Sequence, residues 1–193
     1  MEVSGTFKIY IMAGLRNLIE KYTSIAKELP EQRQKLALIY AHDAHALTAN
    51  RIQNSGIDAR GSKMPLYSDR PFNLGKLDPN DFNAPSRIIK FKKDAAQNKN
   101  NGSYKALRQA YGLPVDRRNL TFDGTMWKSI EQVVAYHDEF KTIVEIRPKD
   151  PKTKMKVDNN SRIVKVNILA FGKEERELLA ELNKERINEL LNQ

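Results

Sequence analysis

Apolar residues in the first thirty positions recur three and four apart. Phe7, Ile11, Leu15, Leu18, Tyr22, Ile25 and Leu29 make one stripe on a 3.6-residue period, with Arg16, Glu20, Lys21, Lys27 and Glu28 off it. The spacing predicts a helix. Pro30 interrupts the pattern and suits the first turn of a second helix. That helix is expected from about Pro30 to Asn54, with Leu36, Ile39, Tyr40, Ala44 and Leu47 inward and Gly56 at its end. Residues 1–55 therefore read as a helical hairpin.

From Gly56 to Gly102 the periodicity disappears. Four of the eight prolines fall here (Pro65, Pro71, Pro79 and Pro85), among frequent Gly, Asn and Asp. Such a stretch is too long for an ordinary connection and reads as an extended arm. Within it Arg87–Lys93 is expected as a short strand or turn, and Asp94–Gly102, with Asn98, Asn100 and Asn101, as flexible. Ser103 is placed to cap a short helix over Tyr104–Tyr111, closed by Gly112 and Pro114.

Residues 103–193 read as an α+β core, one folded domain overall with residues 30–55. Ser129–Tyr136 and Phe140–Ile146 are expected strands. In the second, Phe140, Thr142, Val144 and Ile146 face one way and Lys141, Ile143, Glu145 and Arg147 the other. Pro148–Asn160 is polar and reads as an exposed hairpin tip, and Val164, Val166 and Ile168 alternate like a third strand. An amphipathic helix from about Lys173 to Leu191 closes the chain, with Leu178, Leu179, Leu182, Ile187 and Leu190 expected inward. The fold class is α+β, helices packed on a small antiparallel sheet.

Composition narrows the chemistry. With 193 residues, 40% of them hydrophobic and 30% charged, the chain fits one ordinary domain with much solvated surface. It has no cysteine, which excludes disulfides and thiolate metal sites. The N-terminus has no continuous apolar run, so no signal peptide is expected. Nor is there a stretch near the roughly 20 apolar residues a membrane span needs.

The net charge of +9 is concentrated. Arg87, Lys90, Lys92, Lys93, Lys99, Lys105, Arg108, Arg117 and Arg118 face only Asp94 and Asp116, so this one segment holds +7 of it. Interleaved with Phe91, Tyr104 and Tyr111, it reads as a segment that meets DNA phosphates without reading sequence, or as a basic surface for solvent or an acidic protein.

Catalytic chemistry is harder to find. His42 and His45 share a helix face at the spacing of a metal pair, but only His137 remains as a further histidine, and they read as ordinary helix histidines. Asp78, Asp81 and Asp123 sit in loop-like contexts, and Asp78–Pro79–Asn80–Asp81 has the composition of a turn. No nucleophile elbow and no phosphate-cradling glycine loop is present. No catalytic residue, metal ligand or cofactor is assigned. A hydrolase or nuclease using His42 and His45 around a divalent ion is the enzymatic alternative.

Two stretches carry a family resemblance. The first is Arg51–Gly61 followed by Pro65–Leu66–Tyr67–Ser68. The second is Tyr104–Arg108, then Gly112–Leu113–Pro114–Val115, Asn119–Leu120–Thr121 and Gly124–Ile130. Together with Asn167–Gly172 leading into the acidic helix, they resemble the virion-morphogenesis and tail-completion proteins of tailed phages. The resemblance implies a structural neck subunit rather than an enzyme: a head–tail connector or tail-completion ring that extends the DNA conduit and docks portal to tail. It further implies a sixfold or twelvefold homo-oligomeric ring, portal or adjacent neck and tail proteins as partners, and packaged double-stranded DNA in the lumen. No membrane is involved, and the location would be the virion neck after synthesis in the host cytoplasm. A stand-alone, sequence-independent nucleic-acid-binding protein is the alternative.

Overall fold

A computed structural model describes residues 4–82, 84–121 and 124–191, with side chains of the first helix described at Glu20, Thr23, Ser24 and from Lys27 onward. The fold is α+β: among the described residues, six helices and one two-stranded antiparallel sheet.

Helix α1 spans Ser4–Asn50 without a break and carries Pro30 inside it. The expected corner at Pro30, and with it the hairpin over residues 1–55, does not form. Proline removes one backbone donor and crowds one turn, and the strong helix formers on either side (Ala26, Lys27, Glu28, Leu29, Glu31, Gln32) carry the helix through. The inward face also differs from expectation. Ala41, Ala44 and Thr48 are buried, whereas Leu36, Tyr40 and Leu47 are half-buried and Ile39 and Leu29 are exposed. Small residues three and four apart let the sheet approach the α1 backbone closely. The other stripe residues, Phe7 to Ile25, lie outside the described side chains. A π-helical turn, Arg51–Ser55, extends α1 and buries Ile52. Gly56 then stops it at φ +64, where a Cβ would sit 2.9 Å from the Arg117 Cβ.

The sheet is a hairpin of β1 (Ile130–His137) and β2 (Thr142–Pro148), with Val134 opposite Val144 and a bulge between Val134 and Tyr136. Thr142, Val144 and Ile146 lie half-buried against α1 while Ile143, Glu145 and Arg147 are exposed, as the alternation predicts. Phe140 falls in the turn rather than the strand and is 82% exposed.

The expected hairpin tip is instead a helix, α5 (Pro151–Val164), and the expected third strand does not form, Val166 and Ile168 lying in the turn beyond it. Asp150 caps it, accepting from the Thr153 N–H and hydroxyl at 2.8 and 2.7 Å, and Pro151 occupies the first turn. Val164 is the last helical residue, and Lys165 turns the chain away at φ +60. The main core therefore gathers Ile52, Met64, Leu120, Met126, Trp127, Ile130, Val157, Val164 and Ile168 between α1, the hairpin, α5 and the short helix α4 (Thr125–Lys128).

Residues 56–102 are not a core-poor arm. Arg87–Lys93 lies in helix α2 (Pro85–Ala96), and Ile88 and Phe91 pack on Leu107 of α3 (Tyr104–Ala110). Phe72, Leu74, Leu77 and Phe82 close around them as a second, smaller core. Asp94–Gly102 is held by its asparagines: Asn100 donates to the Phe91 carbonyl and accepts from the Gly102 N–H, and Asn101 joins Asp69 to Ser103. Ser103 caps α3 as its position predicts, accepting from the Ala106 N–H at 3.1 Å.

The closing helix α6 (Lys173–Leu191) has the expected bounds, but its inner face runs through Glu175, Leu179 and Leu182. Leu178 and Ile187 are exposed, and Leu190 lies outside the described side chains. No helix among the described residues is long and apolar enough to cross a membrane.

Candidate functional site

The nine cations of the basic segment separate into two groups. Arg108 is 1% exposed. Its guanidinium donates to the carbonyls of Pro114 (3.1 Å) and Thr121 (2.7 Å) and to Asn119 Oδ1 (2.8 Å), and lies 4.2 Å from the centre of the Tyr67 ring. Arg118, 8% exposed, donates to the carbonyls of Pro65 (2.6 Å) and Leu66 (2.9 Å) and lies 4.8 Å from the same ring. Tyr67 is buried too: its hydroxyl donates to Asn119 Oδ1 and accepts from the Leu120 N–H. This cluster joins the two cores. Both arginines are expected in a basic segment facing DNA, solvent or an acidic protein; they are buried instead, and nothing local marks an arginine whose acceptors are carbonyls up to 53 positions away.

Three more cations are tied at the surface. Arg117 pairs with Asp116 at 2.9 Å, Lys105 pairs with Asp69 at 3.0 Å, and Arg87 donates to the Tyr111 carbonyl beside the Tyr111 ring. Lys90, Lys92, Lys93 and Lys99 make no ion pair among the described residues. Lys90 and Lys93 are exposed on α2, Lys99 is exposed just beyond it, and Lys92 is half-buried. With Arg87 they form the basic surface that remains, on one helix and its exit rather than along the whole segment.

The histidines do not converge with other ligands. His42 is exposed, 3.7 Å from Asp43, which is itself committed to Arg186 at 2.7 Å. His45 stacks on Trp127 with ring centres 6.1 Å apart, and its Nδ1 meets Gln132 Nε2 at 3.1 Å. Its Nε2 and the Trp127 Nε1 are buried and make no hydrogen bond among the described residues. His137 meets the Thr142 hydroxyl on the hairpin. The described residues contain no group of three or more His, Cys, Asp or Glu able to hold a metal ion. Asp78 accepts from the Asn80 N–H as a turn residue, Asp81 faces Lys152 at 3.9 Å, and Asp123 lies outside the described residues.

Burial, with the nearby His42 charge adding to it, holds the His45 imidazole below the usual histidine range of about 6.5. The folded state thus binds the proton less well than the unfolded chain. The stability His45 allows is fully present above the unfolded value and is lost as pH falls through the folded one. We expect the urea midpoint to fall as pH drops below about 6.5, with His45→Gln reducing that fall. An identical pH profile in the variant would remove His45 as the cause.

Glu175, absent from the sequence-based candidates, is the best-placed acid of the molecule. It accepts from Arg51 Nε at 2.7 Å, and its other oxygen accepts from the Gly172 N–H at the start of α6. Arg51 also donates to the carbonyls of Ile57 (2.7 Å) and Ala170 (3.0 Å). The pair binds α1 to α6 and two loops. It has the geometry of a structural tie. The residues that carry the phage-family resemblance are thus framework residues: Arg51, Gly56, Tyr67, Arg108 and Trp127 all sit in packed or hydrogen-bonded positions.

No family model, characterised protein or solved structure matches the chain.

Proposed function

We propose that the chain is a structural subunit of a tailed-phage neck, a head–tail connector or tail-completion ring joining portal to tail. The observation that carries the reading is the length of α1. Its 47 residues extend about 70 Å at 1.5 Å per residue. A compact domain of this chain's size has a radius of gyration of about 16 Å, so its diameter is near 40 Å. An element that long exceeds any core the chain can build around it. Its N-terminal part carries an apolar stripe in sequence, which suits contacts with neighbouring chains in an assembly. The phage-family resemblance supplies the kind of assembly. In a closed ring of six or twelve copies the α2 lysines are candidates for DNA or for the next ring.

The test is quantitative mass spectrometry of purified particles, normalised to the major capsid protein. The expected result is about six or about twelve copies per particle, the counts that closed symmetry sets. Absence from intact particles overturns the reading.

The surface of Arg87, Lys90, Lys93 and Lys99 favours one second reading, a stand-alone protein that binds nucleic acid through phosphates. Duplex affinity of the isolated chain would then fall with salt. Replacing Lys90, Lys93 and Lys99 by Ala would lower the log–log slope by about one for each phosphate contact removed. A slope unchanged in the triple variant excludes this surface as the DNA contact.

A further inference from the structure

Beside the Tyr67 cluster lies a cavity of about 400 Å³, lined by Tyr67, Tyr104, Arg118, Met126, Lys156 and Asn160 among others. Among the described residues that line it, no carboxylate balances the cations. Arg118 is more than nine-tenths buried and lines the cavity, and Arg108 lies immediately behind it against the same tyrosine. Neither arginine has a carboxylate within ion-pair distance among the described residues, and Lys156 has none either, its Nζ meeting only the Thr125 hydroxyl at 3.3 Å. The arginine acceptors are backbone carbonyls, an amide and, for Arg108, the Tyr104 hydroxyl, which satisfy donors without cancelling charge. Arg118 uses Nε and Nη2 on the Pro65 and Leu66 carbonyls, and Nη1 has no partner among the described residues. Burial, opposed in part by Tyr67 and Tyr104 and reinforced by Arg108, weakens the hold of Arg118 on its proton.

We propose that this cavity binds a carboxylate carried on an apolar stem, as the C-terminus of a partner protein presents one. The cations supply the complement for the carboxylate, and Leu120, Met126 and Ile163 supply an apolar wall for the stem. The shape favours this ligand over a nucleic-acid backbone. A phosphodiester chain is met best by exposed cations along a surface, and those lie elsewhere, on α2. The inference is independent of the neck reading and would hold for any protein partner.

The experiment uses the full chain and the dipeptide acetyl-Ala-Leu with a free C-terminal carboxylate, its C-terminal amide, and an oligothymidylate. Binding is followed by proton–nitrogen correlation spectra that include the arginine Nε–H groups. The carboxylate form is expected to shift Arg118 Nε–H and the amides around Leu120 and Lys156 with a Kd of about 1 mM, and the amide form about tenfold more weakly. Lys156→Gln keeps the stem and removes the charge. It should weaken carboxylate binding severalfold while leaving the melting temperature unchanged. Equal binding of acid and amide, no shift with the acid, or shifts at these residues with the oligothymidylate alone would each overturn the proposal.

Discussion

Replacing Arg51 by Ala should cost about 3–5 kcal/mol of stability, because it leaves a buried carboxylate without its cation. The Glu175 side chain is 9% exposed and that of Arg51 15%. Arg51→Ala also strips the Ile57 and Ala170 carbonyls of a donor, so the loss falls on α1, α6 and two loops together. Against the roughly 5–15 kcal/mol of an ordinary domain, this is about a fifth of the total or more. Glu175→Ala should be comparable, since it leaves the guanidinium buried and releases the Gly172 N–H. The double variant Arg51→Met/Glu175→Leu separates charge from packing. Two apolar residues of similar volume restore burial without an unpaired ion, so the pair should lose clearly less than the two single changes combined. Urea unfolding of the four proteins measures this directly. Additive losses would show that the two side chains do not act as a unit.

The second large effect is expected from a substitution that keeps charge. Arg108→Lys should cost about 2–4 kcal/mol, close to the cost of Arg108→Ala. The guanidinium presents donors in a fixed fork, and three of them reach Pro114, Thr121 and Asn119 while the plane rests against Tyr67. A lysine ammonium is a single point of charge. It can meet one of these acceptors but not all three, and burial at 1% exposure leaves the others without water. Arg117→Lys is the control, because that side chain is partly exposed and, among the described residues, pairs only with its neighbour Asp116 and, at 3.4 Å, the Gln53 carbonyl. It should change stability by no more than about 0.5 kcal/mol. Chemical denaturation distinguishes them, and a tolerated Arg108→Lys would mean that charge rather than fork geometry holds the seam.

Local signals were legible and distant ones were not. Ser103 before α3, Gly56 after α1, the alternation of β2 and both ends of α6 all follow from neighbours within a few residues. Asp150–Pro151 with Thr153 three positions after the aspartate is an equally local helix start, and it was missed because the polar run after it hid Val157 and Val164, seven apart. Alternation at Val164, Val166 and Ile168 then imitated a strand over too few residues to separate the two periods. The second core was invisible for another reason. Phe72, Leu74, Leu77 and Phe82 come from irregular chain, where burial follows no period. The structural ties were the least readable. Arg51 meets Glu175 across 124 positions and Arg118 meets Pro65 across 53, and a single sequence carries no mark of such pairings. As for the basic site, the count of cations was right, but the fold alone tells which of them are spent on carbonyls.

The clamp from Arg118 to Pro65 and Leu66 also governs topology. The chain leaves the main core there, builds α2, α3 and their own apolar centre, and returns beside its point of departure. Residues 67–117 are in that sense an excursion with adjoining ends, a module set into a host. Because closing a longer loop adds free energy only logarithmically, such a module can lengthen, shorten or diversify while the host keeps its shape. The α2 lysines ride on this module, so that basic surface can change without rebuilding the core that carries it.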